Sequence, residues 1–516
     1  MAARGKKKKK TKSKRPNVNI EELDNLLEAA QNAPLSKEDA EKLQSAIHLM
    51  ADHLADFYRS SEKLNKVIDE VAETDEGGKV KEVELPKKPA VGHGRKKADD
   101  YVAAEVVRVA HELLQRGCSC PGCEKGKLGK QKPSCQIKIQ AMPPIVAKRY
   151  EREKLRCNLC GEVFTAPFPD GVSLKKYDDS VAAMLAILKY GHGFPHKRIE
   201  TMQKNLGVPL SDSVQSELLK AGAELLKPLH QHLINEAAQS ALLHTDDTRM
   251  KIIKFKREPE DSRTGLFTSG ILGISDAYKV SLFFTGGEHA GENLAHLLKH
   301  RAEDLDSPIL MCDALSWNTS KLEGPDAVVL ANCLAHGRRK FVDIVDSFPT
   351  QCLHVLTELG KIYAIEQEIR QEKLVPKERL ARHLEHSKPI MESLWKWMEE
   401  QLESKVEPNS RLGKAFRYLQ RNWKGLTRFL KDGRAPLDNN ICERAIKKAV
   451  LNRKNAFFYR TLNGAQVGDL WMSLIHTCEL NGVNHFEYLC QVLRNPILVA
   501  ENPADWVPWN FNRGSP

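Results

Sequence analysis

Three acidic residues far apart in the chain, Asp246, Asp313 and Glu443, are the side chains whose types and settings could do chemistry together. Hard divalent cations such as Mg²⁺ take oxygen ligands and share a few carboxylates with substrate phosphate oxygens. Two such ions about 3.5–4 Å apart can activate an attacking oxygen and stabilise a leaving one in an in-line displacement. Each acid alone has a plainer reading: Asp246 or Asp247 as a strand cap, Asp313 as a loop residue, Glu443 as half of an i,i+4 pair with Lys447. The stretch Leu437 to Asn455, LDNNICERAIKKAVLNRKN, opens with helix N-cap chemistry, and Asp438 is placed to accept from a first-turn N–H. Beyond Glu443 it carries Arg444, Lys447, Lys448, Arg453 and Lys454. A carboxylate among so many cations suits a site that holds a metal ion and a phosphate side by side.

The elements that must position these acids are legible from pattern. Ala241 to Ile253 reads as one strand with Asp246 and Asp247 at its middle, and Thr264 to Ser275 and Lys279 to Thr285 are further β-rich runs. Helix Ala290 to Arg301 leads into the apolar strand Pro308 to Asp313, which ends on a carboxylate. Ala327 to Leu330 begins another strand, and Cys333 to Phe341 turns into a basic helix. Three antiparallel strands, a helix, a strand and a helix are the order of an RNase H-like α/β sheet. In that sheet the acid-bearing first and fourth strands pair. Asp343 to Gly433 is helical without a strand signal and reads as an α-helical insertion before the Glu443 helix.

Upstream, Cys120-Pro-Gly-Cys123 and Cys157-Asn-Leu-Cys160 are two CxxC knuckles able to supply four thiolates to one structural Zn²⁺, as in a zinc ribbon. Ile137 to Ile139 and Ile145 to Tyr150 are the strands expected of that small β unit, whose core zinc would stabilise. Cys118 and Cys135 are additional thiols that an alternative ligand set would use. Ser180 to Leu226 reads as helices with short breaks, including the turn Gly191 to Pro195, compatible with a helix-turn-helix DNA reader or with an ordinary α-bundle.

At the N-terminus, Leu43, Ile47, Met50, Leu54, Phe57, Leu64, Ile68 and Val71 form a heptad seam, with Ser61 in its one polar slot, predicting a coiled coil that dimerises the chain. Nine cations and no acid lie within Met1 to Pro16, so most of the net charge of +11 sits in one basic tail suited to a polyanion. No apolar run reaches membrane-spanning length, which predicts a cytoplasmic protein without a membrane partner. The expected organisation is a multidomain α/β chain: basic disordered tail 1–17, helical coiled coil 18–75, linker 76–100 and zinc-ribbon domain 101–170. A helical, HTH-like segment 171–239 follows, then RNase H-like core 240–345, α-helical insertion 346–434, core continuation 435–475 and a C-terminal element 476–516.

At these residues the sequence closely resembles the DDE-type transposases of the IS66 insertion-sequence family, from near Ala33 almost to the C-terminus. The family's LHADET-like motif appears as Leu243-His-Thr-Asp-Asp-Thr248, so the resemblance gives Asp246 the catalytic position. The C-AHxRRKF motif is Cys333 to Phe341, and DNNxxER is Asp438 to Arg444, followed by Arg453-Lys-Asn455. Echoes of a C-terminal element stand at Ser473, Asn481-Gly482, Tyr488-Leu489 and Trp506 to Asn510. The chain departs from the family at Asp247, where Glu is usual, and at Asp313 to Asn318, where a DGYxxY-like run is usual and Trp317 replaces a tyrosine. The resemblance implies metal-dependent cleavage of DNA at the element ends and 3′-OH strand transfer into target DNA, in a bacterial, nucleoid-associated enzyme. It implies Asp246, Asp313 and Glu443 as ligands of Mg²⁺ or Mn²⁺, and Cys120, Cys123, Cys157 and Cys160 as Zn²⁺ ligands. His336, Arg338, Arg339, Lys340, Arg444, Arg453 and Lys454 would contact DNA, since cations fix its backbone in place without reading sequence. A homodimer or higher oligomer and accessory proteins of the same element are the implied partners. The competing expectation is a catalytically silent relative that binds DNA as a repressor.

Overall fold

A computed structural model describes residues 106, 114–123, 125–128, 135, 139, 143–156, 158, 160, 162–256, 265–314 and 327–511. The basic tail, the heptad seam, the linker, Cys157 and Trp317 lie outside the described residues. Among the described residues no helix is long and apolar enough to cross a membrane.

The described residues up to 146 belong to one unit and those from 147 to 511 to another. In the first, Cys118 to Leu128 folds back on itself through a bridge between Ser119 and Lys127 and backbone bonds from Gly117 N to Leu128 O and from Cys120 N to Gly126 O, both under 3 Å. The second unit opens with a short antiparallel hairpin, β1 (Lys154–Arg156) and β2 (Val163–Thr165). Ile145 to Tyr150, expected as a strand, carries none. The ladder forms instead where the turn containing Cys160 brings the chain back alongside itself.

Helices α1 (Asp179–Ala186), α2 (His196–Asn205) and α3 (Asp212–Ala238) follow, α1 capped by Asp178, which accepts from Ser180 N at 2.9 Å. A π-helical turn, Ile187–Gly191, separates the first two. The long α3 is a core element: Leu219, Leu226, Leu229 and Leu233 are buried, and the indole of Trp471 donates to Leu219 O at 3.0 Å. Gly222 permits this approach, because a Cβ there would stand 2.9 Å from the Trp471 ring.

The acidic strand is divided in two, contrary to the single strand expected from Ala241 to Ile253. Strand β3 (Leu242–Arg249) enters the main sheet, whereas β4 (Ile252–Lys254) leaves it and later pairs elsewhere. Strands β5 (Phe267–Ile274) and β6 (Lys279–Gly286), helix α4 (Ala290–Leu298) and the parallel strands β7 (Ile309–Cys312) and β8 (Val329–Asn332) complete a five-stranded sheet of order β6-β5-β3-β7-β8. Thus β3, β5 and β6 are antiparallel, and β7 lies parallel to β3 with His244 opposite Met311. The continuous apolar run Ile309 to Cys312 is buried on both faces, as a central parallel strand must be.

Five helices follow: α5 (Leu334–Val342), α6 (Pro349–Gln371), α7 (Pro376–Arg382), α8 (Lys388–Ser404) and α9 (Arg411–Leu426). Proline opens α6 and α7, where its missing N–H costs nothing. Their apolar faces share one core with the sheet, in which Phe341, Leu356, Met398 and Phe416 join Ile309 and Met311. The chain then forms α10 (Asn440–Ala456), β9 (Tyr459–Thr461), which pairs in parallel with β4, and α11 (Leu462–Leu480).

Helix α11 covers the exposed edge of β6. The N–H groups of Lys279, Ser281, Phe283 and Thr285 donate to the side chains of Asn481, Thr477, Ser473 and Asp469 at 3.1, 3.0, 3.0 and 2.7 Å. Two strand residues advance about 6.8 Å and four helical residues about 6 Å, so the two periods match over this length. An edge open to strand pairing is thereby closed.

Candidate active site

Asp246 lies on β3, and β7 ends at Cys312, immediately before Asp313. Because His244 pairs with Met311, carrying the parallel register on by two residues sets Asp313 beside Asp246. Asp313 therefore stands just past the carboxyl end of β7, where open α/β sheets bind ligands, beside Asp246 in the middle of the parallel neighbour β3. Glu443 comes from the first turn of α10, which packs across β3 and β5. Gly270, opposite Asp246, makes the crossing close, since a Cβ there would meet Ile446 Cδ1 at 3.0 Å.

The start of α10 is bolted to the sheet. Asn439 is buried, its Oδ1 2.8 Å from His244 Nδ1, its Nδ2 donating to Thr245 O at 2.9 Å, and its backbone N–H directed at Cys333 Sγ. Burial holds His244 neutral, its pKa pushed down to about 4 despite the bond to Asn439. Since Asn439 Nδ2 donates to Thr245, its Oδ1 accepts from His244 Nδ1–H, which assigns the tautomer. Leu334 N donates to Leu437 O at 2.9 Å, fixing the approach from the other side. Asp438 accepts from Asn440 N at 3.2 Å, the first-turn bond anticipated for it.

Burial pushes the Asp246 pKa up to about 7, and the charges of Asp313, Glu443 and Asp247 push the same way, against one hydrogen bond from Asp247 N. Glu443 faces His336 at 3.7 Å and Arg339 at 3.9 Å, not the Lys447 of the plain i,i+4 reading. Glu443 Oε1 and His336 Nδ1 are buried, and neither makes a hydrogen bond among the described residues. Cys333, His336 and Glu443 each bring one potential ligand atom within 4.8 Å of the others. Burial pushes the Cys333 thiol up to about 12, so it stays protonated and is a poor partner for a hard cation. A carboxylate oxygen with no hydrogen bond, beside a neutralisable acid, is the donor set a divalent cation fits.

Asp247 points the other way, as alternation along a strand requires. Ser269 donates to its Oδ1 at 2.6 Å, and the first N–H of α4, from Ala290, donates to its Oδ2 at 2.9 Å. It ties a helix N-terminus to the sheet, a role its position next to Asp246 concealed.

The expected DNA contacts are not equivalent. Arg338, Arg339 and Lys340 lie on α5, with Lys340 Nζ 5.3 Å from the Tyr418 ring centroid. Arg444 follows Glu443 on α10. Arg453 NH1 donates to Thr248 Oγ1 at 3.0 Å and also to Arg249 O, so part of its guanidinium holds the end of β3. Lys454 is exposed on the last turn of α10. Of the cysteines, Cys120 and Cys123 sit on the first unit's knuckle, where the Gly126 and Lys125 N–H groups and the Cys120 side chain lower the Cys123 pKa. Cys160 is exposed in the turn between β1 and β2. Cys118 and Cys135 are exposed free thiols.

Sequence reasoning missed Asn439, His244 and the insertion residue Tyr418. Burial pushes the Tyr418 phenol up to about 12, with the Asp313 charge adding and an Ala314 N–H bond opposing. The LHxDD and DNN motifs held the signal for the first two, but it was read as capping and metal binding alone.

The chain is similar to three uncharacterised proteins of Sinorhizobium fredii (strain NBRC 101917 / NGR234). It is 26% identical to y4jD across 78% of this chain and 79% of that protein. It is 24% identical to y4hP, across 78% and 75% respectively. For y4qI the figures are 28% identity across 64% and 62%. The profile of the transposase IS66 family matches residues 175–467, more than half of the sequence and all of the sheet with its acids. With that match and this geometry, the chain belongs to the IS66 family of transposases.

Proposed function

We propose that the chain cuts and joins DNA at a carboxylate site formed by Asp246, Asp313 and Glu443, on an RNase H-like core. The observation that carries this reading is the meeting of the middle of β3, the end of its parallel neighbour β7 and the first turn of α10, with Asn439 holding the helix to the strand bearing Asp246. Asp246, Asp313 and Glu443 would hold Mg²⁺ or Mn²⁺, although among the described residues the ligand atoms already within 4.8 Å of one another are those of Cys333, His336 and Glu443. Such ions, when bound, activate the attacking oxygen and stabilise the leaving one.

The residues of the chain do the rest. Burial and its acidic neighbours favour the neutral form of Asp246, so it would hold a cation only as the ionised carboxylate. His336 and Arg339, flanking Glu443, orient it and face the phosphate. Arg338, Lys340, Arg444 and Lys454 position the DNA backbone. Water's oxygen bonds to phosphorus at the element end, and the 3′ oxygen leaves as a hydroxyl. That hydroxyl oxygen then attacks a target phosphorus, and a target 3′ oxygen leaves in turn. The Cys120–Cys123 knuckle, with N–H groups directed at sulfur, is suited to thiolate ligation of Zn²⁺.

The test incubates purified protein and Mg²⁺ or Mn²⁺ with labelled DNA bearing the element's terminal repeats, alongside Glu443→Gln. Metal-dependent nicking lost in the variant supports the reading. Binding without nicking in both proteins would replace it with a non-cutting DNA binder.

A further inference from the structure

Helix α9, deep in the insertion, has a face that the carboxylate site does not use. Arg411, Lys414, Arg417 and Arg421 are all exposed and recur every three or four residues, while Leu412, Phe416 and Leu419 on the opposite face are buried. Among the described residues none of these four cations has an acidic partner within ion-pair distance. They line a groove of about 680 Å³ between α9 and α5, together with Lys340 and Tyr418, and Asp343 is its one acid among the described residues. The groove reaches Ala314, the residue after Asp313, so it opens beside the candidate carboxylate site.

We propose that this groove is a track for the DNA sugar–phosphate backbone, with α9 as its floor. The inference rests on the cut-and-join reading above. Five cations against one acid call for a polyanion rather than a neutral ligand. The distance along the helix from Arg411 to Arg421 is about 15 Å at 1.5 Å per residue. One strand of a duplex offers a phosphate about every 3.4 Å along its axis, so about four phosphates face four cations. Tyr418, which feels the Asp313 charge and takes an Ala314 N–H, and Lys340, 5.3 Å from its ring centroid, mark where the track passes the acids. The track supplies affinity without sequence choice, as phosphate contacts do.

The test measures the dissociation constant of the full chain for a labelled random-sequence duplex as a function of NaCl. The triple variant Arg411→Gln/Arg417→Gln/Arg421→Gln is compared with a control that removes the same charge elsewhere on the insertion, Lys377→Gln/Lys396→Gln/Lys405→Gln. Each phosphate contact contributes about 0.9 to the slope of log affinity against log salt, so the triple variant should lose about 2–3 in slope and bind on the order of 10–100-fold more weakly near 0.1 M salt. The control should keep the wild-type slope, and equal thermal midpoints would show that all three proteins fold. An unchanged slope in the triple variant overturns the track while leaving the cut-and-join reading intact. If that variant instead loses binding to poly-glutamate with its DNA slope unchanged, the groove takes an acidic protein and the proposal falls. A wild-type chain that binds no duplex overturns both. Loss of slope in the variant without nicking by the wild type supports the track and removes the cleavage reading.

Discussion

Asn439 Oδ1 lies 2.8 Å from His244 Nδ1, joining the cap of the Glu443 helix to the strand that carries Asp246 across 195 residues of sequence. With Asn439 Nδ2 bonded to Thr245 O, one side-chain amide sets the distance between two of the three acids. Asn439→Ala would leave a buried imidazole N–H and a strand carbonyl unpaired. The expected loss is about 2–4 kcal/mol in chemical denaturation, since orphaned buried groups bear their full desolvation cost. If Glu443 serves the proposed cleavage, nicking should fall further than duplex affinity does, because the variant displaces the start of α10. Stability within about 0.5 kcal/mol of wild type would show that the bolt is not structural.

The neighbouring acids should respond with opposite signs. Asp247→Ala strips the acceptor from Ala290 N and Ser269 Oγ, and should destabilise the fold by about 1–3 kcal/mol. Asp246→Asn should abolish nicking yet stabilise the metal-free protein at pH 8. Its folded pKa of about 7 is above that of an unfolded aspartate, so its stability cost is absent below the unfolded value and complete above pH 7. Removing that charge should return on the order of 1–3 kcal/mol. Parallel melts of the two variants without metal decide the matter, and a destabilised Asp246→Asn protein would contradict the burial argument.

The sheet was legible because apolar runs with acids at their ends announce strands, and because the order of those runs fixes which strands can pair. The places of Asp246 and Asp313 on neighbouring strands were legible for the same reason. The division of β3 from β4 was not, since Met250 and Lys251 break the pairing without a glycine or proline to signal it. Nor was the bond between Asn439 and His244, which joins a helix to a strand 195 residues away with the whole insertion between them. In α11 the ladder Asp469, Ser473, Thr477 and Asn481 is a plain four-residue repeat of polar side chains. It looks like a solvent face until the edge of β6 is set against it.

Divalent metal binding should depend on pH in a defined window. Asp246 must be ionised to serve as a ligand, and its pKa in the metal-free fold is about 7. Below that value each pH unit should weaken apparent Mg²⁺ affinity about tenfold, and above it the affinity should level off. Titration of Mg²⁺ against the thermal midpoint at successive pH values measures this, with Asp246→Asn as the control that flattens the curve. A wild-type affinity unchanged between pH 5.5 and 8 would place the ligand elsewhere.

The insertion is tied to the α10 approach through one buried carboxylate. Glu366 Oε1 accepts from Arg370 Nε at 3.0 Å, and its Oε2 accepts from Arg379 Nε at 3.0 Å and from His383 Nε2 at 3.1 Å. Arg379 in turn donates to Gly433 O at 2.6 Å and to Ala435 O at 2.7 Å, just before Asp438. Burial alone would raise the Glu366 pKa, but the His383 bond and the charges of Arg379 and Arg370 outweigh it and hold the carboxyl near 2. A depressed carboxylate pKa contributes stability that is present above the unfolded value and lost as pH falls toward 2, so at neutral pH this contribution is whole. Glu366→Gln should cost about 3–5 kcal/mol, because it leaves the Arg379 charge buried without its partner. Arg379→Met leaves Glu366 with Arg370 and His383 but strips Gly433 O and Ala435 O of their donor, so it too should cost about 3–5 kcal/mol and should slow nicking, with the salt slope of duplex binding unchanged. If both variants lower nicking only in proportion to the folded fraction, the insertion is a scaffold and does not position Glu443.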